Sequence, residues 1–268
     1  MNALSHTQSE ASVDGLFQAR QHPYRLIQGL GQEKDTIKRL TLTLAERYGK
    51  VIETYGKVYE VYDRKPVCPD QVPVSQTNQA IHFHTDSSQK DTCPDIVGLA
   101  CVHRAFGGDT VLADAELAYQ HLQRFHPWTL PILKRPFHRA LVTPNTEKSP
   151  DAVLRNRFPI YTRESDGTHA IRYMRRWIED GAKIAQVRFD ELTLTALDHL
   201  DHALASSVIY QRQLKRGELL FFNNRRIVHA RLPYREIGQQ HRLLFRVWLD
   251  AGYMKRSARE RSSVLAPS

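Results

Sequence analysis

Apolar positions along this chain switch between two spacings. In Glu33–Tyr48 (EKDTIKRLTLTLAERY), Ile37, Leu40 and Leu44 recur at the three-and-four spacing of a helix face, and Gly49 supplies a stop. The next stretch, KVIETYGKVYEVYDRKP, is β-branched and aromatic with a glycine inside it, which predicts two short strands. A Pro- and Gln-rich loop runs through Pro73, and a strand ends in Ile81-His82-Phe83-His84-Thr85-Asp86. Ile96–Arg104 (IVGLACVHR) is apolar throughout and reads as a buried strand. Phe106-Gly107-Gly108-Asp109 then turns the chain, and Thr110–Ala113 returns as its hairpin partner. Asp114–Arg124 predicts a helix with an Asp N-cap. Pro127–Arg157 reads as irregular, Phe158–Tyr173 as a hairpin around Ser165-Asp166-Gly167, and Arg188–Ser206 as a second helix. Gly217–Asn224 and Arg242–Asp250 are the clearest strands. The fold expected is mainly β with flanking helices, a sandwich or barrel.

No internal repeat or linker divides the chain. Residues 1–15 read as a polar, flexible leader, 16–254 as one domain, and 255–268 as a basic, frayed tail. The chain has 268 residues, 41% of them hydrophobic and 25% charged, which is globular composition. No apolar run reaches the length of a membrane span, and no secretory signal opens the sequence. Cys68, Cys93 and Cys101 follow no paired spacing. That disfavours a disulfide framework or a Cys-rich zinc site and points to a reducing cytoplasm. The formal charge of +9 is spread along the chain, with one dense cluster at Lys255–Arg261. It suits anionic small molecules as well as polyanions, so charge alone selects no partner.

Three groups of residues change that picture. If the strand persists to Asp86, its period of two puts His82, His84 and Asp86 on one face. For a lone His-x-Asp, a wet sheet edge is the favoured account. His229, behind the strand GELLFFNN, adds a second imidazole. Two histidines and a carboxylate suit Fe(II) with open positions, and zinc would accept the same donors. In Arg242-Leu-Leu-Phe-Arg246-Val-Trp248, alternation places Leu243, Phe245, Val247 and Leu249 on one face and Arg242, Leu244, Arg246 and Trp248 on the other. Two guanidiniums on an apolar strand call for a wet face or for anionic partners, either acidic side chains or a bound carboxylate taken in bidentate fashion.

The blocks HFHTDSS, PDIVGLACVHRAFGGDTVLADA, GELLFFNNRRIVHARLPY and HRLLFRVWLD, in that order, resemble the taurine dioxygenase/clavaminate synthase-like family of Fe(II)- and 2-oxoglutarate-dependent oxygenases. The resemblance implies a double-stranded β-helix, or jelly-roll, core. It implies that His84, Asp86 and His229 ligate iron, that Thr110 and Arg242 bind the distal carboxylate of 2-oxoglutarate, and that Arg246 lies near the keto-acid end and the substrate. It also implies O2 as co-substrate, with release of succinate and CO2 as an unactivated C–H bond is oxidised. Related halogenases carry a small residue at the position of Asp86, so halogenation is not expected here.

The substrate is less legible. Sulfonate-binding members have an Asn four residues before the first iron-binding His, where this chain has Ala80. The substrate contacts expected are His82, Ser87, Ser88, Gln89, Arg172, Tyr173, Arg175 and Arg246; the Arg172–Trp177 stretch reads equally as an exposed basic corner with Trp177 packed inward. Arginines facing the site would select an anionic or carboxylate-bearing substrate. In style the chain resembles amino-acid hydroxylases of natural-product pathways, so an amino acid or its derivative is the expected substrate. Desaturation, epoxidation, cyclisation, or catabolism of a small sulfonate or carboxylate would use the same cofactors. The readings of a different class are a non-catalytic jelly-roll binding protein, a zinc hydrolase, and a nucleic-acid module. No membrane or nucleic-acid partner is expected, and a homo-oligomer is compatible with the sequence.

Overall fold

In this computed structural model the described residues are 22–66, 74–90, 93–141, 149–236, 238 and 241–252. The leader, the basic tail and Cys68 lie outside them. The chain opens with β1 (Tyr24–Ile27), α1 (Lys34–Ala45), β2 (Lys50–Val51), β3 (Tyr59–Val61) and a 3-10 turn at Val74–Gln76. Next come β4 (Ile81–His84), β5 (Ile96–His103), β6 (Phe106–Gly107), β7 (Thr110–Asp114), α2 (Ala115–Phe125), α3 (Thr129–Leu133) and β8 (Phe137–His138). Then follow α4 (Pro150–Arg155), β9 (Arg157–Phe158), β10 (Tyr161–Arg163), β11 (His169–Ile171), α5 (Arg175–Ile184) and α6 (Glu191–Ser206). The last strands are β12 (Val208–Arg212), β13 (Leu219–Asn223), β14 (Ile227–Arg231), β15 (Tyr234–Arg235) and β16 (Leu243–Asp250).

Two antiparallel sheets form the core. The larger has the order β1-β13-β5-β16-β2, with β3 pairing the other half of β16, and the smaller has the order β12-β7-β14-β4. Between them lies an apolar layer that includes Val97, Leu99, Leu112, Leu220, Phe222, Ile227, Leu244 and Trp248. Helix α1 covers the outer face of the larger sheet, packing on Leu219, Phe221, Phe245 and Val247. Helices α2 and α6 cover the smaller sheet over Ala113 and Val228. Strand β16 shows why both sides fill: Leu243, Phe245, Val247 and Leu249 face α1, while Leu244 and Trp248 face the other sheet. The alternation read from the sequence holds there without exception.

Helix ends also follow local chemistry. Asp114 accepts from the Glu116 amide and caps α2, and Asp190 accepts from Thr193 to cap α6 three residues later than expected. In α1 the buried stripe is Ile37, Thr41 and Ala45, with Leu40 and Leu44 only partly covered. Small residues on that stripe let the helix lie close to the sheet.

Two expectations fail for physical reasons. Thr110–Ala113 does not pair with the strand before it: β5 belongs to the larger sheet and β7 to the smaller. The glycines between them take φ of +81° and +77°, and Phe106–Gly107 pairs instead with Tyr234–Arg235. A left-handed pair of glycines carries the chain from one sheet across to the other, which a hairpin turn would not do. Pro127–Arg157 is not irregular among its described residues, which form α3, β8 and α4, with Ser149 capping α4 ahead of Pro150. Such short elements carry too few periods for the hydrophobic pattern to register. The same applies to β12 and β14.

Candidate metal and carboxylate site

Strand β4 is bulged. His84 lies opposite His229 on β14, and Ile81 lies opposite Arg231, so three steps on β4 match two on its partner. The extra residue breaks the period of two. Ile81 and His84 therefore both face the cavity, while His82 is exposed and lies outside it. The expected sharing of one face by His82, His84 and Asp86 is corrected accordingly. The strand ends at His84, and a turn containing Ser87 at φ +56° brings the Asp86 carboxylate back toward the imidazoles.

The structure brings His84, Asp86 and His229 together, all buried, with donor atoms within 4.8 Å of one another. His84 Nδ1 lies 2.9 Å from the His82 carbonyl, which can only accept, so Nδ1 donates there and Nε2 is the nitrogen turned toward the cluster. That Nε2 is 3.6 Å from Asp86 Oδ1, and His229 Nε2 is 3.9 Å from the same oxygen. These separations exceed a good hydrogen bond and suit three donors sharing one ion. His229 is wedged between the ring of His84, 4.0 Å away, and that of Phe222, 4.9 Å away. Its burial and the His84 ring beside it bring its pKa down to about 3, leaving a neutral ligand. Burial alone would raise the Asp86 carboxyl. The Arg246 guanidinium and the two imidazoles outweigh it and hold the group well below the usual carboxylate range.

Asp86 is fixed from two directions. Trp248 Nε1 donates to Oδ2 at 2.6 Å and Arg246 Nη1 lies 3.4 Å from Oδ1, so β16 holds the carboxylate across the interlayer. Asn224 holds the backbone: its Oδ1 accepts from the Asp86 amide at 2.8 Å, and its Nδ2 donates to the carbonyls of Asp86 and Pro94. Sequence reasoning missed this buried asparagine. Its signal was an Asn pair closing an apolar strand, read only as the end of that strand.

Beside this cluster lies a cavity of about 300 Å³. Thr110, Arg242 and Arg246 line it together, as do Ser87 and Gln89. Arg242 is buried under the face of Tyr234, 4.9 Å from the ring centre, and its Nη1 has no hydrogen-bond partner among the described residues. Gly108 makes room for it, since a Cβ there would stand 3.2 Å from Arg242 Nε. Arg231, unforeseen, lines the same end and donates to the carbonyls of Thr77 and Gln79. Tyr55, Tyr59, Met174 and Trp177 supply an apolar wall. Arg64, Arg231, Arg242 and Arg246 line the cavity, and Asp86 is the one carboxylate among its described lining residues.

Ser88 is fully buried beside the site without lining it. Arg172, Tyr173 and Arg175 do not line it either. Tyr173 is buried with its hydroxyl on Asp201, Arg175 pairs with Glu179, Asp198 and Asp201, and Arg172 stacks over Phe158. The neighbours Met174 and Trp177 face the cavity instead. The reason is pairing of this stretch with β4: Thr85 and Tyr173 exchange hydrogen bonds, which turns Met174 inward.

A family model described as taurine catabolism dioxygenase TauD, TfdA family, matches residues 3–248. No curated protein matches the chain. Among solved structures, a single-residue mutant of the non-heme iron oxygenase OrfP, in complex with (3S)-hydroxy-L-Arg, superposes with a TM-score of 0.70 at 17% identity, covering 92% of this chain and 81% of that one. Asparagine oxygenase in complex with Fe(II), 3-hydroxyasparagine and succinate gives a TM-score of 0.67 at 17% identity, covering 89% and 78%. OrfP in complex with Fe and α-ketoglutaric acid also gives 0.67, at 16% identity over 92% and 81%. These likenesses bear out the mainly β architecture with flanking helices as the jelly-roll fold of such oxygenases.

Proposed function

The chain belongs to the TauD, TfdA family of dioxygenases, and from that premise we propose that it is an Fe(II)- and 2-oxoglutarate-dependent enzyme that hydroxylates a C–H bond of a small molecule. In this reading His84, Asp86 and His229 hold the iron. The donor set fits: two imidazoles and one carboxylate are the ligands Fe(II) takes with positions left open. Bound iron and 2-oxoglutarate would supply the activation of O2, with succinate and CO2 released.

The chain's own share is placement. Arg242 would meet the distal carboxylate of 2-oxoglutarate with its unpartnered Nη1, and Thr110, which lines the same cavity, would add a hydroxyl. Arg246 bridges the two ends, touching Asp86 and facing the space left for substrate. Tyr55, Tyr59 and Trp177 limit the water that reaches the reacting carbon. The single observation that carries the reading is the buried, unpartnered Arg242 nitrogen in the cavity that the His–Asp–His cluster faces. An unpaired buried charge costs several kcal/mol unless a ligand supplies its partner.

The proposed substrate is an amino acid or an amino-acid derivative carrying an anionic group. What supports this class is the arginine-rich lining, together with structural neighbours whose complexes contain hydroxylated arginine and asparagine. Residues 16–254 would form the single catalytic domain. No helix among the described residues is long and apolar enough to cross a membrane, and the free Cys93 and Cys101 suit a reducing cytoplasm. The test is succinate release from 2-oxoglutarate with Fe(II) under air, across a panel of amino acids and N-acylated derivatives. Stimulation by one member, abolished in Arg242→Gln, supports the reading. Succinate release unaffected by Arg242→Gln would contradict the assignment.

A further inference from the structure

At the rim of the cavity one cation stands without an acid. Arg64, just after β3, is exposed and lines the cavity, and its guanidinium lies 5.2 Å over the ring of Tyr62. Among the described residues it meets no carboxylate. The backbone beneath it is held. The Arg64 amide donates to the Gln76 carbonyl at 2.9 Å, and Gln76 Nε2 donates to the Tyr59 hydroxyl at 3.0 Å. Lys65, next along the chain, is left-handed at φ +49°, a conformation costly for a residue with a Cβ. Asp63 keeps it there by accepting from the Lys65 amide at 2.9 Å, and Glu236 lies 3.3 Å from its ammonium. A strained turn, braced on both sides, presents Arg64 to the cavity.

The other cations nearby are engaged. Arg246 lies 3.4 Å from Asp86, Arg231 donates to the carbonyls of Thr77 and Gln79, and Arg242 is assigned to 2-oxoglutarate. Two faces of the aromatic wall are engaged as well: Arg246 covers Tyr59 at 5.0 Å and Lys90 covers Tyr55 at 5.8 Å. Such faces are where a substrate ammonium could otherwise rest.

We propose that Arg64 receives the carboxylate of the substrate, and that this substrate carries no free ammonium, as in an N-acylated amino acid. The inference rests on the function proposed above and narrows it. A planar guanidinium takes a carboxylate in bidentate fashion. A free α-ammonium would enter the field of Arg64, Arg231, Arg246 and Lys90, and Asp86, the one carboxylate among the described lining residues, is already held. Acylation turns that ammonium into a neutral amide, and an acyl chain would bury its apolar surface on Tyr55, Tyr59 and Trp177.

The test is anaerobic calorimetry on the full chain loaded with Fe(II) and 2-oxoglutarate. The probes are N-acetyl derivatives of apolar amino acids, each beside its free amino acid and its N-acetyl methyl ester. At least one N-acetyl acid is expected to bind the wild type about tenfold or more tightly than both counterparts. Arg64→Gln should erase the preference for acid over ester, and Arg64→Lys should restore part of it; a merely structural role for Arg64 would weaken acid and ester alike. Free amino acids that bind as tightly as their N-acetyl forms, a panel in which no N-acetyl acid binds, or a preference that survives Arg64→Gln overturns the proposal. The visible charge-transfer band of the loaded protein separates the two kinds of failure. Its absence in the wild type defeats the cofactor assignment and the proposal with it. Its presence in both wild type and Arg64→Gln shows an intact site and assigns the failure to the substrate claim alone.

Discussion

The two ends of the cavity are built in opposite ways. At the His84–Asp86–His229 end the carboxylate and one imidazole are already held: Asp86 by Trp248, Arg246 and Asn224, and His84 by the carbonyl of His82, while His229 Nδ1 and Arg246 Nε meet no hydrogen-bond partner among the described residues. At the other end Arg242 sits buried with a nitrogen that nothing meets among the described residues, beside Arg231. One end is braced around Asp86, the one carboxylate among the described lining residues; the other gathers arginines without one. The contrast teaches where stability and function separate. Changes at the held end should cost both, whereas removing the unpaired cation should cost function while relieving the empty fold.

The most severe change is Asp86→Ala. It removes the only anionic donor of the cluster and should abolish succinate release, a loss beyond the roughly 10–100-fold that follows from disturbing outer-shell partners. Next is Arg242→Gln. Breaking a buried charge pair with 2-oxoglutarate should cost about 2–5 kcal/mol of its binding, read by calorimetry. The same variant without ligand should unfold at or above the wild-type temperature. A lower unfolding temperature would mean that the two ends are not built differently.

Acid provides a third probe, on the metal-free protein. The His229 pKa is about 3 in the fold, against about 6.5 unfolded, so between those values the unfolded chain binds a proton that the native state refuses. Stability is complete above pH 6.5 and declines on acidification, by roughly 2 kcal/mol at pH 5. Denaturant midpoints at pH 7 and 5 should show this decline, and His229→Gln should flatten it. Asn224→Ala comes fourth. It should weaken iron binding by roughly 10–100-fold and lower stability by about 1–3 kcal/mol, because it strands the Asp86 amide and two carbonyls. The mildest is His82→Ala, expected to change stability by less than about 0.5 kcal/mol. Its carbonyl, not its ring, orients His84, so activity should persist.

The sequence carried the held end well because that end depends on residue types at short spacings. His84 and Asp86 are two apart, and the inward face of β16 from Arg242 to Trp248 followed strict alternation. What it did not carry was register. A bulge in β4 turned His82 outward, and two left-handed glycines sent β7 to the opposite sheet, each set by partners more than a hundred residues away. Asn224 was invisible for the same reason, since its contact with Asp86 spans 138 positions. Arg175 misled because its partners Asp198 and Asp201 lie on α6, a helix that periodicity placed without orienting, and Arg172 because it stacks on Phe158. Arg231 was hidden in a short strand with too few residues to show a pattern.

The measurement that bears most directly on the account is an anaerobic titration of metal-free protein with Fe(II) and then 2-oxoglutarate, following visible charge-transfer absorption. A band that requires both components, is lost in His84→Ala, and needs far more 2-oxoglutarate in Arg242→Gln is the predicted result. Folded protein that develops no band, or a band indifferent to Arg242→Gln, would contradict the assignment of the two ends to metal and carboxylate.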